Sequence, residues 1–254
     1  MTQKTQLGEP EDRSFISQLD GTRQLYVLMR PEPWDPKVER HLLIALHGFG
    51  GDRWQFAREA RGECQAARDT AARYGMLYVS PDYRGNSRMS PAAEADMIQL
   101  INELREEFGV KQVFLTGGSM GATSSLAFTA MHPDLVHGVC ALNGVANLFG
   151  WGPLPEVVEA MVETYGGTPA EVPLVYKARS AEYWPERFTM PVAITTGGKD
   201  ELDPPASTHR LVSVLQVLER PVLLIHREET GHETNYEDTC TALEFVVKTA
   251  LAGG

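Results

Sequence analysis

The stretch Val113-Phe-Leu-Thr-Gly-Gly-Ser-Met-Gly-Ala122, VFLTGGSMGA at residues 113–122, sets a serine between glycines, directly after a short apolar run and directly before a segment of helical spacing. Residues 113–116 read as a buried strand and residues 120–131 as a helix, so Ser119 falls on a sharp strand–turn–helix connection. Gly117, Gly121 and Ala122 are small where such a turn would crowd side chains. This context predicts a strained Ser119 whose hydroxyl projects from the carboxyl edge of a sheet. The unpaired N–H of Met120 and the positive end of the new helix would stand beside it. The competing reading, a Gly/Ser turn without chemistry, has to be weighed against what the rest of the chain supplies.

Outward from this stretch, short apolar runs at residues 42–46, 76–79, 113–116, 136–142, 192–196 and 222–225 each end in Gly, Pro, His, Asn or Asp and read as buried parallel strands. Segments of helical spacing lie between and after them, at about 54–74, 91–108, 120–131, 155–165, 206–219 and 236–250. The alternation predicts an α/β fold, a mostly parallel central sheet with helices on both faces. Near the start, residues 15–19 and 25–29 flank Asp20-Gly21, whose tolerance of positive φ favours a hairpin and hence an antiparallel N-terminal edge. Residues 1–254 read as one domain. The Pro- and Gly-rich region from Phe149 to Pro173 belongs to a modest lid-like insertion spanning about residues 144–190, because strands resume on the same pattern after it.

Of the 254 residues, 43% are apolar, enough for a substantial core. Thirty-four acidic residues against 23 basic ones give a formal net charge of −11. Clusters such as Glu103/Glu106/Glu107 and Glu228/Glu229 would repel a phosphate backbone, which argues against nucleic acid as a partner. The start, MTQKTQLGEPEDRS, lacks the apolar stretch of a secretory signal, and no apolar run approaches the ~20 residues that span a bilayer. The expectation is a cytoplasmic protein with no membrane contact. Cys64, Cys140 and Cys240 are far apart and without CxxC spacing, so buried reduced thiols are expected instead of disulfides or a zinc knot. No HExxH or clustered His–carboxylate spacing suggests a metal site.

A serine hydroxyl needs a base within hydrogen-bond reach. His232, in Glu229-Thr-Gly-His-Glu233, follows the last predicted strand in a loop that would open at the same edge as Ser119. His226, at the end of that strand, is the main competitor. The base works best against a carboxylate that fixes its tautomer, and Asp200 in TTGGKDELDPP (195–205) is the candidate. Glu201 and Asp203 are the alternatives, otherwise solvated turn residues. For the oxyanion, one donor is the N–H of Met120. The other comes from LIALHGFGG (43–51), with Phe49 chosen and Gly50 the alternative. The same loop lacks the Gly-Lys-Ser/Thr ending of a phosphate loop and a G-x-G-x-x-G, and His47 reads as structural. Trp54, Leu148, Phe149, Trp151 and Trp184 are candidate linings of a substrate pocket.

Together HGFGG (47–51), SPDYRG (80–85), GGSMG (117–121), GGKDELDPP (197–205) and GH (231–232) resemble the α/β-hydrolase family over nearly the whole chain, in the family's order Ser…Asp…His. Asp82-Tyr-Arg-Gly85 is similar to the corresponding loop of the prolyl-oligopeptidase catalytic domain and of related single-domain esterases. The Leu19-Asp-Gly-Thr22 hairpin is similar to polyester depolymerases and feruloyl esterases. Only about 40 residues precede Leu42, too few for the propeller of the peptidases, whose blades take about 40 each. Dienelactone hydrolases, also similar, usually carry cysteine at the elbow, and epoxide hydrolases and haloalkane dehalogenases carry aspartate.

The resemblance implies a serine hydrolase that cleaves small carboxylic esters through an acyl-serine, with Ser119, His232 and Asp200 as the triad and without a cofactor. A small lid favours short-chain or aryl esters. Activity should rise with pH across the reference imidazole pKa of about 6.5. A small peptidase or amidase of the prolyl-oligopeptidase type, or a non-catalytic hydrolase-fold ligand binder, are the alternatives.

Overall fold

The computed structural model describes residues 5–152 and 154–253. Eight strands form one sheet in the order β10-β9-β8-β7-β5-β6-β3-β2. They are β2 (Glu11–Ile16), β3 (Arg23–Met29), β5 (Arg40–Leu46), β6 (Leu77–Pro81), β7 (Val110–Gly118), β8 (Gly138–Leu142), β9 (Val192–Gly197) and β10 (Val222–Arg227). All pairings from β10 to β6 are parallel; β3 joins β6, and β2 joins β3, antiparallel. The six apolar runs are the six parallel strands, and the N-terminal segment is the antiparallel edge. Its turn is wider than a two-residue hairpin: Ile16 pairs with Arg23, Ser17 N–H donates to Thr22 O at 2.8 Å, and Gly21 takes φ 74° within the loop.

Burial on both faces explains why these strands read as continuous apolar runs. Along β5, Leu42, Ile44 and Leu46 face one core with Leu115, Val139 and Ile194, beneath α3 (Pro91–Phe108), α4 (Met120–Met131) and α7 (Ala206–Val217). Leu43 and Ala45 face the other with Phe114, Cys140 and Ala193, beneath α1 (Trp54–Arg58), α2 (Gly62–Arg73) and α8 (Tyr236–Ala252). The alternation follows from the two-residue period of a strand. Caps set the helix ends: Ser90 Oγ accepts from Ala93 N before α3, Gly109 ends α3 at φ 65°, and Asn235 Oδ1 accepts from Asp238 N before α8.

The helix expected over 54–74 is two helices. Arg68 of α2 reaches back to donate to the carbonyls of Phe56 at 2.7 Å and Glu59 at 2.8 Å, which satisfies the end of α1 and lets the chain turn. Two small features lie outside the sequence reading. A two-stranded pair joins β1 (Gln6–Leu7) to β4 (Pro31–Glu32), and α6 (Pro173–Ala178) follows α5 (Pro155–Tyr165) in the segment between β8 and β9. That segment has its own small core of Val145, Leu148, Met161, Tyr165 and Tyr176. Cys64 and Cys140 are buried, Cys240 is partly so, and all three are free thiols. No helix among the described residues is long and apolar enough to cross a membrane.

The strand order reverses direction at β5, so the ends of β5 and β7 flank a crevice. The β7–α4 turn packs directly on the end of β5: a Cβ on Gly121 would drive into the carbonyl oxygen of Leu46, which is backbone and cannot swing away. Gly121→Ala is therefore expected to destabilise the protein by about 2 kcal/mol or more, read as a lowered urea midpoint. A variant as stable as the parent would contradict this packing.

Candidate active site

Ser119 sits between β7 and α4 with φ 56° and ψ −118°, a backbone conformation that residues with a side chain seldom adopt. Its N–H donates to Leu142 O at 2.8 Å, and its carbonyl accepts from Thr123 N at 3.0 Å, so both sides of the peptide are fixed. The HGFGG loop after β5 lies alongside; a Cβ on Gly48 would come 3.9 Å from that of Ser119. Within this loop Gly48 N–H is taken by Gln55 Oε1 and Gly50 N–H by Asn86 Oδ1, each at 2.7 Å. The N–H groups of Phe49 and Met120 donate to nothing among the described residues, which separates Phe49 from its alternative Gly50 as a donor.

Asp200 and His232 come from the loops after β9 and β10. Gly197 lets these loops touch, since a Cβ there would come 2.6 Å from Thr230 O. Lys199 N–H then donates to Thr230 O at 2.9 Å and locks the two together. Across this contact His232 Nδ1 meets Asp200 Oδ2 at 2.8 Å, while Asp200 Oδ1 accepts from the N–H groups of Leu202 at 3.0 Å and Asp203 at 2.9 Å. Burial raises the Asp200 pKa, but the His232 hydrogen bond, the Asp203 N–H, the His232 charge and Asn143 outweigh it, and the carboxyl is held below its ordinary value. For His232, burial opposes the charged form. The Asp200 hydrogen bond and the charges of Asp203 and Asp200 outweigh it, against a smaller opposing push from Arg61, so its pKa is raised above 6.5.

Ser119 and His232 line the same cavity, of about 50 Å³, with Gly48, Phe56, Leu142 and Asn143 among its walls. The Ser119 hydroxyl makes no hydrogen bond with His232 among the described residues. It stands close enough to the carboxyl of Asp203 to favour that group's charged form. Asp203 is thus not the solvated turn residue expected: it is 3% exposed. Its burial pushes the pKa up to about 6, against the pull of His232 and Arg88. Glu201 is exposed as expected. His226 is engaged elsewhere, with Nδ1 on Thr196 Oγ1 at 2.8 Å and Nε2 on Glu228 Oε2 at 3.1 Å. His47 is fully buried with both ring nitrogens against carbonyls, the structural place foreseen for it.

The expected pocket residues divide. Trp151 donates from Nε1 to Leu202 O at 3.0 Å, beside Asp203, and lies on the guanidinium of Arg88. Phe149 packs on the small core of the β8–β9 segment against Tyr176 and Tyr183. Leu148 is fully inside that core. Trp54 is stacked by Arg58 at 3.7 Å, and Trp184 by Arg187 at 4.1 Å with its Nε1 donating to Lys177 O. None of these five lines the cavity beside Ser119. Internal packing occupies the faces of Leu148, and arginine stacking those of Trp54 and Trp184. Asn143, at φ 51° and touching the cavity, and the buried Arg88 were not foreseen.

The profile of the α/β hydrolase fold family matches residues 41–176, more than half of the chain. No curated protein sequence matches. Among solved structures, a puromycin hydrolase superposes with TM-score 0.76 at 19% identity, covering 96% of this chain and 39% of that one. Dipeptidyl peptidase 4 of Porphyromonas gingivalis does so with TM-score 0.73 at 14% identity, covering 96% of this chain and 36% of that one. The chain thus spans well under half of these longer proteins. The fluorophosphonate-binding serine hydrolase F of Staphylococcus aureus matches end to end, 96% of this chain and 99% of that one, with TM-score 0.71 and 15% identity.

Because Asp203 adds negative charge near His232, its neutralisation should lower the imidazole pKa. In an NMR titration of the ring nitrogens, wild-type His232 is expected to titrate above 6.5 and Asp203→Asn at lower pH; an unmoved midpoint would refute the coupling. With the profile, the sheet order and the strained elbow in agreement, the chain belongs to the α/β-hydrolase fold family.

Proposed function

We propose that the protein is a serine esterase that hydrolyses carboxylic esters through an acyl-serine. The observation that carries this reading is Ser119, held at φ 56° on the wall of a cavity shared with a His232 that is already paired with Asp200 at 2.8 Å. The Ser119 hydroxyl comes into reach of Nε2 of His232 by a rotamer change about one bond. Its oxygen then attacks the ester carbonyl carbon as the proton passes to His232. Asp200 stabilises the imidazolium, and the free N–H groups of Phe49 and Met120 receive the oxyanion. The carbon–oxygen bond to the leaving group breaks, and His232 returns the proton to the departing alcohol. Water, giving its proton to His232, attacks the acyl-serine; His232 passes that proton to the Ser119 oxygen as the bond from the acyl carbon to Ser119 breaks, and the carboxylic acid leaves.

The raised His232 pKa moves the sequence-based expectation for pH. The base must be neutral, so kcat/KM should rise with pH through a midpoint above 6.5. A fluorophosphonate should label Ser119 stoichiometrically. Ser119→Ala should lose the label and roughly 10⁴-fold or more of turnover. A Ser119→Ala protein with parental turnover would end the assignment, and an intact but inert wild type would favour a ligand-binding role.

The cavity of about 50 Å³ beside Ser119 supports short acyl groups. Across aryl esters from acetate to dodecanoate, the highest kcat/KM is expected at the short end, and a maximum at the long end would overturn this preference. Matched aryl amides in the same panel decide between esterase and the peptidase or amidase reading that the names of the longer structural neighbours raise.

A further inference from the structure

The two edges of the sheet are guarded differently. At one end β2 carries Glu11, Asp12 and Arg13, ion-paired in turn with Arg30, Arg53 and Glu107. Charges on an edge strand discourage another chain from pairing with it. At the other end β10 reads Val-Leu-Leu-Ile-His-Arg, without proline or lysine, and pairs among the described residues with β9 alone. All six residues of β9 are buried, and none of β10 is. Its apolar side chains therefore reach the rim of the sheet on both faces, Val222 and Leu224 on the side of α7 and Leu223 and Ile225 on the side of α8. Beside Leu223 a groove of about 400 Å³ opens along Thr241, Phe245 and Lys248 of α8.

Pairing with β9 fixes which backbone groups of β10 are free. Val192 N–H donates to Pro221 O at 3.0 Å, and Gly198 N–H to Arg227 O at 2.8 Å. In a parallel pair every second residue turns its N–H and C=O toward the neighbour, so Leu223 and Ile225 also face β9 with theirs. Val222, Leu224 and His226 are left presenting N–H and C=O groups outward, a template for a further strand. Both ends of this template are charged. Glu228, just past β10, is exposed beside His226, whose Nε2 meets its Oε2 at 3.1 Å. Arg220, just before β10, has an Nε sealed from solvent that hydrogen-bonds nothing among the described residues.

We propose that β10 pairs antiparallel with β10 of a second copy of this chain, about a two-fold axis at Leu224, so that the two sheets become one. A two-fold axis makes every contact occur twice and brings identical edge strands together antiparallel. The free backbone groups determine the register. For all of those on Val222, Leu224 and His226 to be used, Leu224 must stand opposite Leu224 and Val222 opposite His226. The side chains agree with this register, which the backbone alone selects. On the α8 face it sets Leu223 of each copy opposite Ile225 of the other, closing apolar contacts beside the Phe245 groove. On the α7 face it carries Arg220 of each copy toward Glu228 of the other, opposite charges at both ends. A register two residues away runs an outward residue past the end of the partner strand and separates these charges. This self-complementarity singles out a second copy as the occupant. Two chains of net charge −11 repel at long range, but at about 0.15 M salt that repulsion decays over about 8 Å, while the Arg220–Glu228 contacts are local.

Sedimentation equilibrium of the full chain at about 0.15 M salt provides the test. Wild type is expected to be dimeric at about 100 µM; a monomer at that concentration overturns the proposal and leaves the edge to a strand of some other protein. Arg220→Glu and Glu228→Arg each set like charges together at both ends and should raise the dimer Kd about tenfold or more, whereas the double variant should return it to within about threefold of wild type. Leu223→Lys, which puts an ammonium into each apolar contact, should raise it about a hundredfold. In hydrogen exchange, the amides of Val222, Leu224 and His226 should exchange more slowly at about 100 µM than at about 1 µM. A dimer whose Kd none of these substitutions moves, charge reversals that do not rescue one another, or edge amides that exchange alike at both concentrations overturn the pairing. Should Leu223→Lys not fold, the charge reversals and the wild-type exchange decide. None of these outcomes depends on the reading of Ser119.

Discussion

The seating of the β7–α4 turn on the end of β5 is the constraint from which the site follows. Gly121 leaves no side chain to hold the turn off the carbonyl of Leu46, so the backbone of Ser119 is pressed into its left-handed conformation and its N–H is anchored on Leu142 at the end of β8. Three adjacent strands thereby fix one residue. The same contact brings the HGFGG loop alongside, where side-chain acceptors from Gln55 and Asn86 occupy two N–H groups and leave that of Phe49 free. Preorganisation of this kind keeps an anion site ready without reorganisation when charge develops.

A second close approach, at Gly197, has the corresponding role for the acid and base. His232 follows the edge strand β10 and Asp200 its neighbour β9, and their loops would diverge if a side chain at 197 kept them apart. Their contact makes the pairing of Asp200 with His232 a property of the backbone. The polarity of that pair is consistent with its proposed use: the carboxyl is held down and the imidazole up, so the proton between them belongs to the ring.

Much of this was legible because buried parallel strands advertise themselves as apolar runs and because glycine marks close approach. The segments of helical spacing at 91–108, 120–131 and 155–165 coincide with α3, α4 and α5. The break between α1 and α2 was not legible, since it depends on Arg68 capping carbonyls nine and twelve residues away, while the helical spacing runs on without interruption. The surroundings of the aromatic residues were not legible for a related reason. Trp54 and Trp184 look like pocket walls in one dimension, but each is flanked in space by an arginine that takes its face. Arg88 was invisible as a buried residue, and Asp203 stood only as an alternative to Asp200, because charged residues in Gly-, Ser- and Pro-rich loops read as solvated. Only the folded loops reveal that neither reaches water.

Those two charges change how the site is understood electrostatically. A cleft with only Asp200 and His232 would present one buried, neutralised ion pair, and the oxyanion would be the sole uncompensated charge to arise during reaction. Asp203 adds an anion next to Ser119, which by itself would oppose an oxyanion forming there. Arg88 cancels it at a distance, and Phe49 spans the two effects, with its N–H free on one side and its ring near the guanidinium on the other. Neither charge hydrogen-bonds the other among the described residues, so each is held by the field of its surroundings and not by a close ion pair.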